Sequence, residues 1–385
     1  MADRPRWRKL LSSQYSGGDV NEHVNGRSAE GGLVYPYAPP APDGSAVEVA
    51  PGILWLRMPM PMQLDHINVY CLRDDDGWFI IDTGLPLPKT QALWDNIRAR
   101  HFGGMPVLGV VCTHFHYDHA GCAAWLAEST GASLYMSHGE FYTLRAMNAP
   151  GLSSDELFQG DFYRQAGLEE GIITRMADAM RADPYRPPLP RSFRRLRAGD
   201  VLRVGGRNWQ VWIGEGHSPE HVCLYCPEDR ILISGDQLLP RISSNVLVMP
   251  IEPEANPLGD WLDSLERMRE LAEDTLVLPS HERVFCGLRL RVEQLVQHHL
   301  DQCGVLIDLA SIEERMTIAQ GMRALFKRKL GPVEIMMAIG ETLAHLTWLV
   351  NSGKLRRTID AKGIIGYDLP VVGSMVDSKK LQETN

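Results

Sequence analysis

Four metal-capable side chains fall within six positions of this chain, in the segment T-H-F-H-Y-D-H-A-G at Thr113–Gly121. The segment follows the apolar run VLGVVC and precedes a helical pattern, GCAAWLAEST. It therefore occupies a strand-to-helix turn, where the chain leaves strand alternation and neighbouring imidazoles and a carboxylate can converge. Histidine with carboxylate suits Zn²⁺, and also Fe or Mn. Three further polar residues each close a later apolar strand: His217 after NWQVWIGEG, Asp236 at the end of ILISGD and His281 at the end of TLVLPSH. Strand ends at one common edge would bring all of them to a single site.

The pattern around these residues sets the fold class. From residue 47 onward, short strands (AVEVAPGILWLRMP and HINVYCLRDDDGWFIIDTG) give way to alternating strand and helix, which predicts an α/β fold with helices packed outside sheets. Residues 1–46 are polar and rich in Gly, Pro and Ser, and read as an arm. Residues 139–197 break the strand rhythm with helical segments and a proline cluster. A helical insert of that size forms either a lid or pocket wall, or a stabilising or dimer-forming element. After residue 298 the strands give way to three helices and a turn ribbon, NSGKLRRTIDAKGIIGYDL, which is a winged-helix-like pattern. The expected division is an arm over 1–46, a site-bearing domain over 47–298 and a C-terminal module over 299–385.

Composition removes some function classes. The 385 residues carry a net charge of -9, which argues against a dedicated nucleic-acid binder. No apolar stretch is expected to reach the roughly 20 residues needed to cross a bilayer, and the basic N-terminus lacks the apolar core of a secretory signal. The seven cysteines are odd in number and lie in apolar runs. They read as buried thiols in a reducing, cytoplasmic setting, the C-x-x-C at Cys223 and Cys226 included.

The order HxHxDH, GH, GD and a strand-terminal His resembles the signature of the metallo-β-lactamase superfamily, over roughly residues 47–298. The resemblance implies an αβ/βα sandwich and two divalent metal ions, Zn before Fe or Mn. It implies that His114, His116 and His217 bind the first metal, that Asp118, His119 and His281 bind the second, and that Asp236 bridges both. Asp82, in FIIDTG, matches the aspartate that orients ligands from behind. Two departures stand out: Glu282 follows His281 where the family more often has Gly, and the bridging position is Asp236 where the best-known zinc β-lactamases have Cys. The second turns the reading away from antibiotic hydrolysis. The chemistry implied is attack by a metal-activated hydroxide on an acyl or phosphoryl centre, with Asp118 and Asp236 in the catalytic roles.

The C-terminal module, with LPRISSN after Asp236, resembles bacterial hydrolases of the glyoxalase-II-like, β-lactamase-like protein 2 type. A thioester, lactone or related ester carbonyl on a small acyl molecule is the expected substrate. The alternative is a single-strand endoribonuclease, for which the winged-helix shape and the clusters Lys327–Lys329 and Lys354, Arg356, Arg357 speak. Against it, the segment ETLAHLTWLVNSG, which would read RNA, is apolar. Packing or a homodimer is the expected role of the module. A third reading, further from the signature, is a mononuclear-iron dioxygenase of the persulfide type. Arg241, His66 and His221 are candidates for substrate contact or for support of the ligands.

Overall fold

The computed structural model describes residues 28–148 and 159–370, which fall into two compact units. In the first, strands β1 (Ser28–Glu30) and β2 (Leu33–Tyr35) precede β3 (Val47–Ala50), β4 (Ile53–Pro59), β5 (His66–Arg73) and β6 (Trp78–Ile81). Then come helix α1 (Pro88–His101), β7 (Val107–Val111), α2 (Tyr117–Ala120), α3 (Ala123–Thr130), β8 (Ser133–Met136), α4 (His138–Met147) and β9 (Arg194–Arg195). Strands β3 to β9 lie side by side in sequence order as one seven-stranded sheet, antiparallel up to β6 and parallel from there on.

The second sheet uses β10 (Val201–Val204), β11 (Arg207–Gly214), β12 (His221–Cys226), β13 (Ile231–Gly235), β14 (Leu276–Pro279) and β15 (Phe285–Cys286), in the order β1-β2-β15-β14-β13-β12-β11-β10. Within it β13 and β14 run parallel. The two sheets face each other across one apolar core. Trp55, Tyr70, Phe79, Ile81 and Val111 come from one side, and Trp209, Val211, Leu224, Ile233 and Leu278 from the other. This is the αβ/βα sandwich that the family resemblance implies, and it has the α/β character expected from the alternation of strands and helices. All seven cysteines are buried and free.

The arm needs a correction. Val34 of β2 pairs with Cys286 of β15, so residues 28–35 extend the second sheet. Their strands are three residues long, too short for the alternation by which a strand is read from sequence.

The second unit contains residues 159–182, 247–258 and 297–370. Its helices α5 (Gly160–Gln165) and α6 (Glu170–Arg181) come from the expected insert. Helix α7 (Pro257–Met268) starts at the unit's edge and lies mostly in the first unit, and α8 (Leu288–Ile312) contains the division between the two. Next come β16 (Met316–Thr317), α9 (Ile318–Leu325), α10 (Pro332–Asn351), β17 (Arg356–Ile359) and β18 (Ile365–Asp368), with the strands ordered β16-β18-β17. Helices followed by a two-stranded ribbon make the winged-helix arrangement. Thr317 and Gln320 close a capping box at the start of α9.

Two further expectations change here. Helices α5 and α6 belong to the C-terminal unit, where α6 packs on α10, while α4 remains with the sandwich. And α10 is long and apolar enough to cross a bilayer by length and composition, contrary to the sequence reading. Ala338, Ile339, Leu343, Ala344, Leu346 and Leu349 are buried, as in a core helix.

Candidate metal centre

Parallel pairing places the site. In a parallel pair both C-terminal ends lie on one edge, where loops can converge. Strands β6 and β7 are such a pair: Asp82 N donates to Val111 O at 2.8 Å, which sets Asp82 beside the start of the histidine segment. Strands β13 and β14 are another: Ser280 N donates to Gly235 O at 3.1 Å, so Asp236 and His281 emerge together. Val222 N, at the head of β12, donates to Thr113 O and draws in the loop of His217.

The seven donors form two groups, His114, His116, His217 and Asp236, then Asp118, His119 and His281. In the first, His114 Nε2 lies 2.7 Å from His116 Nδ1 and 3.2 Å from His217 Nε2. Asp236 faces both groups: Oδ2 is 3.5 Å from His217 Nε2, and Oδ1 is 3.4 Å from His281 Nε2 and 3.6 Å from His119 Nε2. Asp118 Oδ2 stands 3.4 Å from both His119 and His281.

Most of the imidazoles have their outer nitrogen committed elsewhere, which leaves the inner one free. His119 Nδ1–H donates to Asp82 Oδ2 at 2.8 Å, His217 Nδ1–H to Asn245 O at 2.7 Å and His281 Nδ1–H to His66 O at 2.9 Å. Asp82 is itself fixed by Thr113 N at 2.8 Å and Thr113 Oγ1 at 2.9 Å. These outer bonds set tautomer and ring orientation.

The electrostatics differ between the groups. Burial, with the neighbouring imidazoles, holds His114 well below its ordinary value and brings His116 down to about 3; burial lowers His217 as well. These rings are neutral, with lone pairs available. In the second group burial opposes protonation, but Asp118 and Asp236 outweigh it, raising His281 to about 10 and His119 well above the usual range. The two carboxylates thus make this group favourable for positive charge. His119 Nε2 and Asp236 Oδ1 are buried with no hydrogen-bond partner, a costly state for polar atoms. The donor set therefore fits a metal ion.

The weaker candidates separate clearly. His221 is a support: its ring stacks on His114 at 4.8 Å, and its Nε2 accepts from Asp236 N at 3.1 Å. His66 also supports, through its backbone oxygen to His281 and by accepting Glu282 N–H at Nε2, 3.2 Å away. Arg241 is exposed on the segment after Asp236. Glu282 takes φ +69°, the left-handed conformation that explains why glycine suits this position. Arg57 Nη2 and Asn68 Nδ2 donate to Glu282 O and hold it there.

One residue escaped the sequence reading. Glu140, fully buried at the start of α4, accepts from Phe115 N at 2.9 Å, Ser218 Oγ at 2.7 Å and Glu220 N at 2.8 Å. Burial pushes its carboxyl up to about 7 despite these donors. Nothing in GEFYTLRAM distinguishes it from a surface glutamate, because its partners lie far away in sequence.

Comparison with known proteins agrees with this geometry. A family profile described as metallo-beta-lactamase superfamily matches residues 62–281, and one described as metallo-beta-lactamase-like, C-terminal domain, matches residues 307–370. The acyl-coenzyme A thioesterase MBLAC2 of Gallus gallus is 28% identical over 290 residues, covering 70% of this chain and 94% of that protein. The crystal structure of a beta-lactamase domain protein from Burkholderia ambifaria is 40% identical with a TM-score of 0.81, covering 88% of this chain and 98% of that one. A metallo-beta-lactamase family protein from Thermus thermophilus is 27% identical with a TM-score of 0.70, over 84% of this chain and 100% of that one. A metal-fitting donor set on a two-sheet sandwich, with profile matches to both of its units, leads to one conclusion: the chain belongs to the metallo-beta-lactamase superfamily and is a hydrolase of that superfamily.

Proposed function

We propose that this protein is a dinuclear hydrolase of acyl thioesters, of the coenzyme A type, with lactones and related esters as neighbouring substrates. The observation that carries the dinuclear part is Asp236, whose two oxygens face different donor groups, Oδ2 toward His217 and Oδ1 toward His119 and His281. His114, His116 and His217 would hold one cation and Asp118, His119 and His281 the other, with Asp236 between them. Cations bound there, Zn²⁺ first among the candidates, lower the pKa of water toward about 7 and polarise an acyl oxygen.

The residues supply the rest. Asp118 Oδ2, 3.4 Å from both His119 and His281, would orient an attacking water. Asp82 and the carbonyls of Asn245 and His66 keep the imidazoles in one tautomer. The thioester class is supported by the likeness to the thioesterase MBLAC2. The ribonuclease reading finds little support in α10, which has no Lys or Arg and is buried along much of its length.

The test is metal content per purified chain, alongside turnover of an acyl-coenzyme A, lactone and single-stranded RNA panel before and after chelation. Close to two metals per chain with chelator-sensitive thioester cleavage is the expected result. RNA cleavage alone would replace the substrate class, and one iron per chain with oxygen uptake would overturn the hydrolase reading.

A further inference from the structure

Glu140 occupies the third position of α4, after the cap Ser137, whose side chain accepts Glu140 N–H. A glutamate there ordinarily bonds back to the backbone N–H of its own cap residue. Glu140 instead turns its carboxylate outward from the helix. Oε2 accepts the peptide N–H of Phe115, the residue between His114 and His116. Oε1 accepts from Ser218 Oγ, next to His217, and from Glu220 N. Glu220 returns the contact: its Oε2 accepts Gly139 N–H at 2.8 Å, at the start of α4. A Cβ at Gly139 would stand 3.1 Å from Glu220 Cγ and 3.2 Å from Pro219 Cβ, so the two segments are in close contact.

We propose that Glu140 is a positioning residue for the first donor group: its buried carboxylate ties the His114–His116 segment to the His217 loop and so sets the spacing of those three imidazoles. The inference rests on the dinuclear reading above. The second group is anchored separately. Thr83 N and Oγ1 both donate to His119 O, Asp82 holds the His119 ring, and His281 is held through His66 O and the Asn68 bonds to Pro279 and Glu282. Loss of the Glu140 tie therefore loosens one group and leaves the other.

Glutamine at this position keeps the shape but not the function. One of its two terminal atoms is an NH₂, so in either orientation at least one of the N–H groups of Phe115 and Glu220 faces a donor instead of an acceptor. A charge-assisted tie is lost and a buried donor is left unpaired.

The experiment titrates Co²⁺ and, separately, Zn²⁺ into the metal-free full chain, following Co²⁺ by visible absorption. His116→Ala and His281→Ala identify which binding equivalent belongs to which donor group. In Glu140→Gln the equivalent lost in His116→Ala should weaken roughly tenfold or more, the range found for outer ligand supports, while the other keeps its wild-type affinity. Ser218→Ala, which removes one donor and leaves the two peptide contacts, should weaken the same equivalent by a smaller factor. It carries the test if Glu140→Gln fails to fold. Equal weakening of both equivalents, the mark of a merely structural residue, would overturn the inference, as would no change in either. A wild-type chain binding one equivalent removes the dinuclear reading instead. The inference then stands if Glu140→Gln weakens that equivalent and falls if it does not.

Discussion

Asp82 Oδ2 accepts the Nδ1–H of His119 at 2.8 Å, from a residue held in the left-handed conformation at φ +61°. Its other oxygen takes Thr113 N–H, at the entrance to the histidine segment. One carboxylate thus orients a ligand ring and fixes the turn that presents its neighbours. In Asp82→Asn the amide keeps one acceptor for two or more donors. Metal affinity and turnover should fall together by about 10–100-fold, checked by elemental analysis and by kcat on the metal-loaded protein. Full metal content with normal turnover would remove the orienting role.

Gly235 precedes Asp236 at φ +54°, and a Cβ there would lie 2.3 Å from His221 Cε1. Gly235→Ala combines left-handed strain with overpacking, for a loss of about 3 kcal/mol. It also pushes the His221 ring from Asp236 N. Urea unfolding measures the stability change; a loss below about 1 kcal/mol would mean that the ring moves freely.

Glu282 adopts φ +69°, so Glu282→Gly relieves about 1 kcal/mol of strain. Glycine's greater freedom in the unfolded chain offsets about 0.5–1 kcal/mol of that. The variant should therefore melt close to wild type and bind metal unchanged. A large drop in either would assign the Glu282 side chain a role of its own.

The second unit contains an acid-sensitive pair. His299 Nδ1 lies 2.9 Å from His345 Nε2, and His345 Nδ1–H donates to Glu341 O at 2.7 Å. Burial, with the adjacent imidazoles, brings His299 down to about 2; burial brings His345 down to about 4 against the pull of the Glu341 carbonyl, with His298 adding to the shift. Depressed histidines contribute stability that is full above pH 6.5 and is lost as pH falls toward their folded values. Glu341, raised by burial to about 7, acts in the opposite sense: its contribution is full below pH 4.5 and lost as pH rises through 7, so it offsets one histidine in that window. Together these three groups contribute a slope of about 1.4 kcal/mol per pH unit. Other buried groups titrate in the same window, so the readout is a difference: in chelator-treated protein, His299→Phe should lower the slope of urea-derived stability between pH 6.5 and 4.5 by about 1.4 kcal/mol per pH unit. Identical slopes would contradict the pair's neutrality.

The donors were legible because each sits at a chemically marked place: four in six positions at Thr113–Gly121, and three polar residues that each close an apolar strand. The apolar pattern likewise carried the α/β class. β12, a run of mostly apolar residues, is buried throughout, as a strand covered on both faces should be. Residues 28–35 lacked that information, because three-residue strands show no period and their place depends on pairing with β15.

What the sequence determined by itself, then, is which side chains could serve as donors, since a side chain's ligating chemistry belongs to the residue and its local turn. What only the tertiary structure decided is how they are held. Glu140 reaches Phe115 and Glu220 across 25 and 80 positions, His281 leans on the His66 carbonyl across 215, and α6 packs on α10. Such contacts follow from which strand ends and helices lie side by side. No local propensity encodes them, because each depends on two distant segments being placed at once.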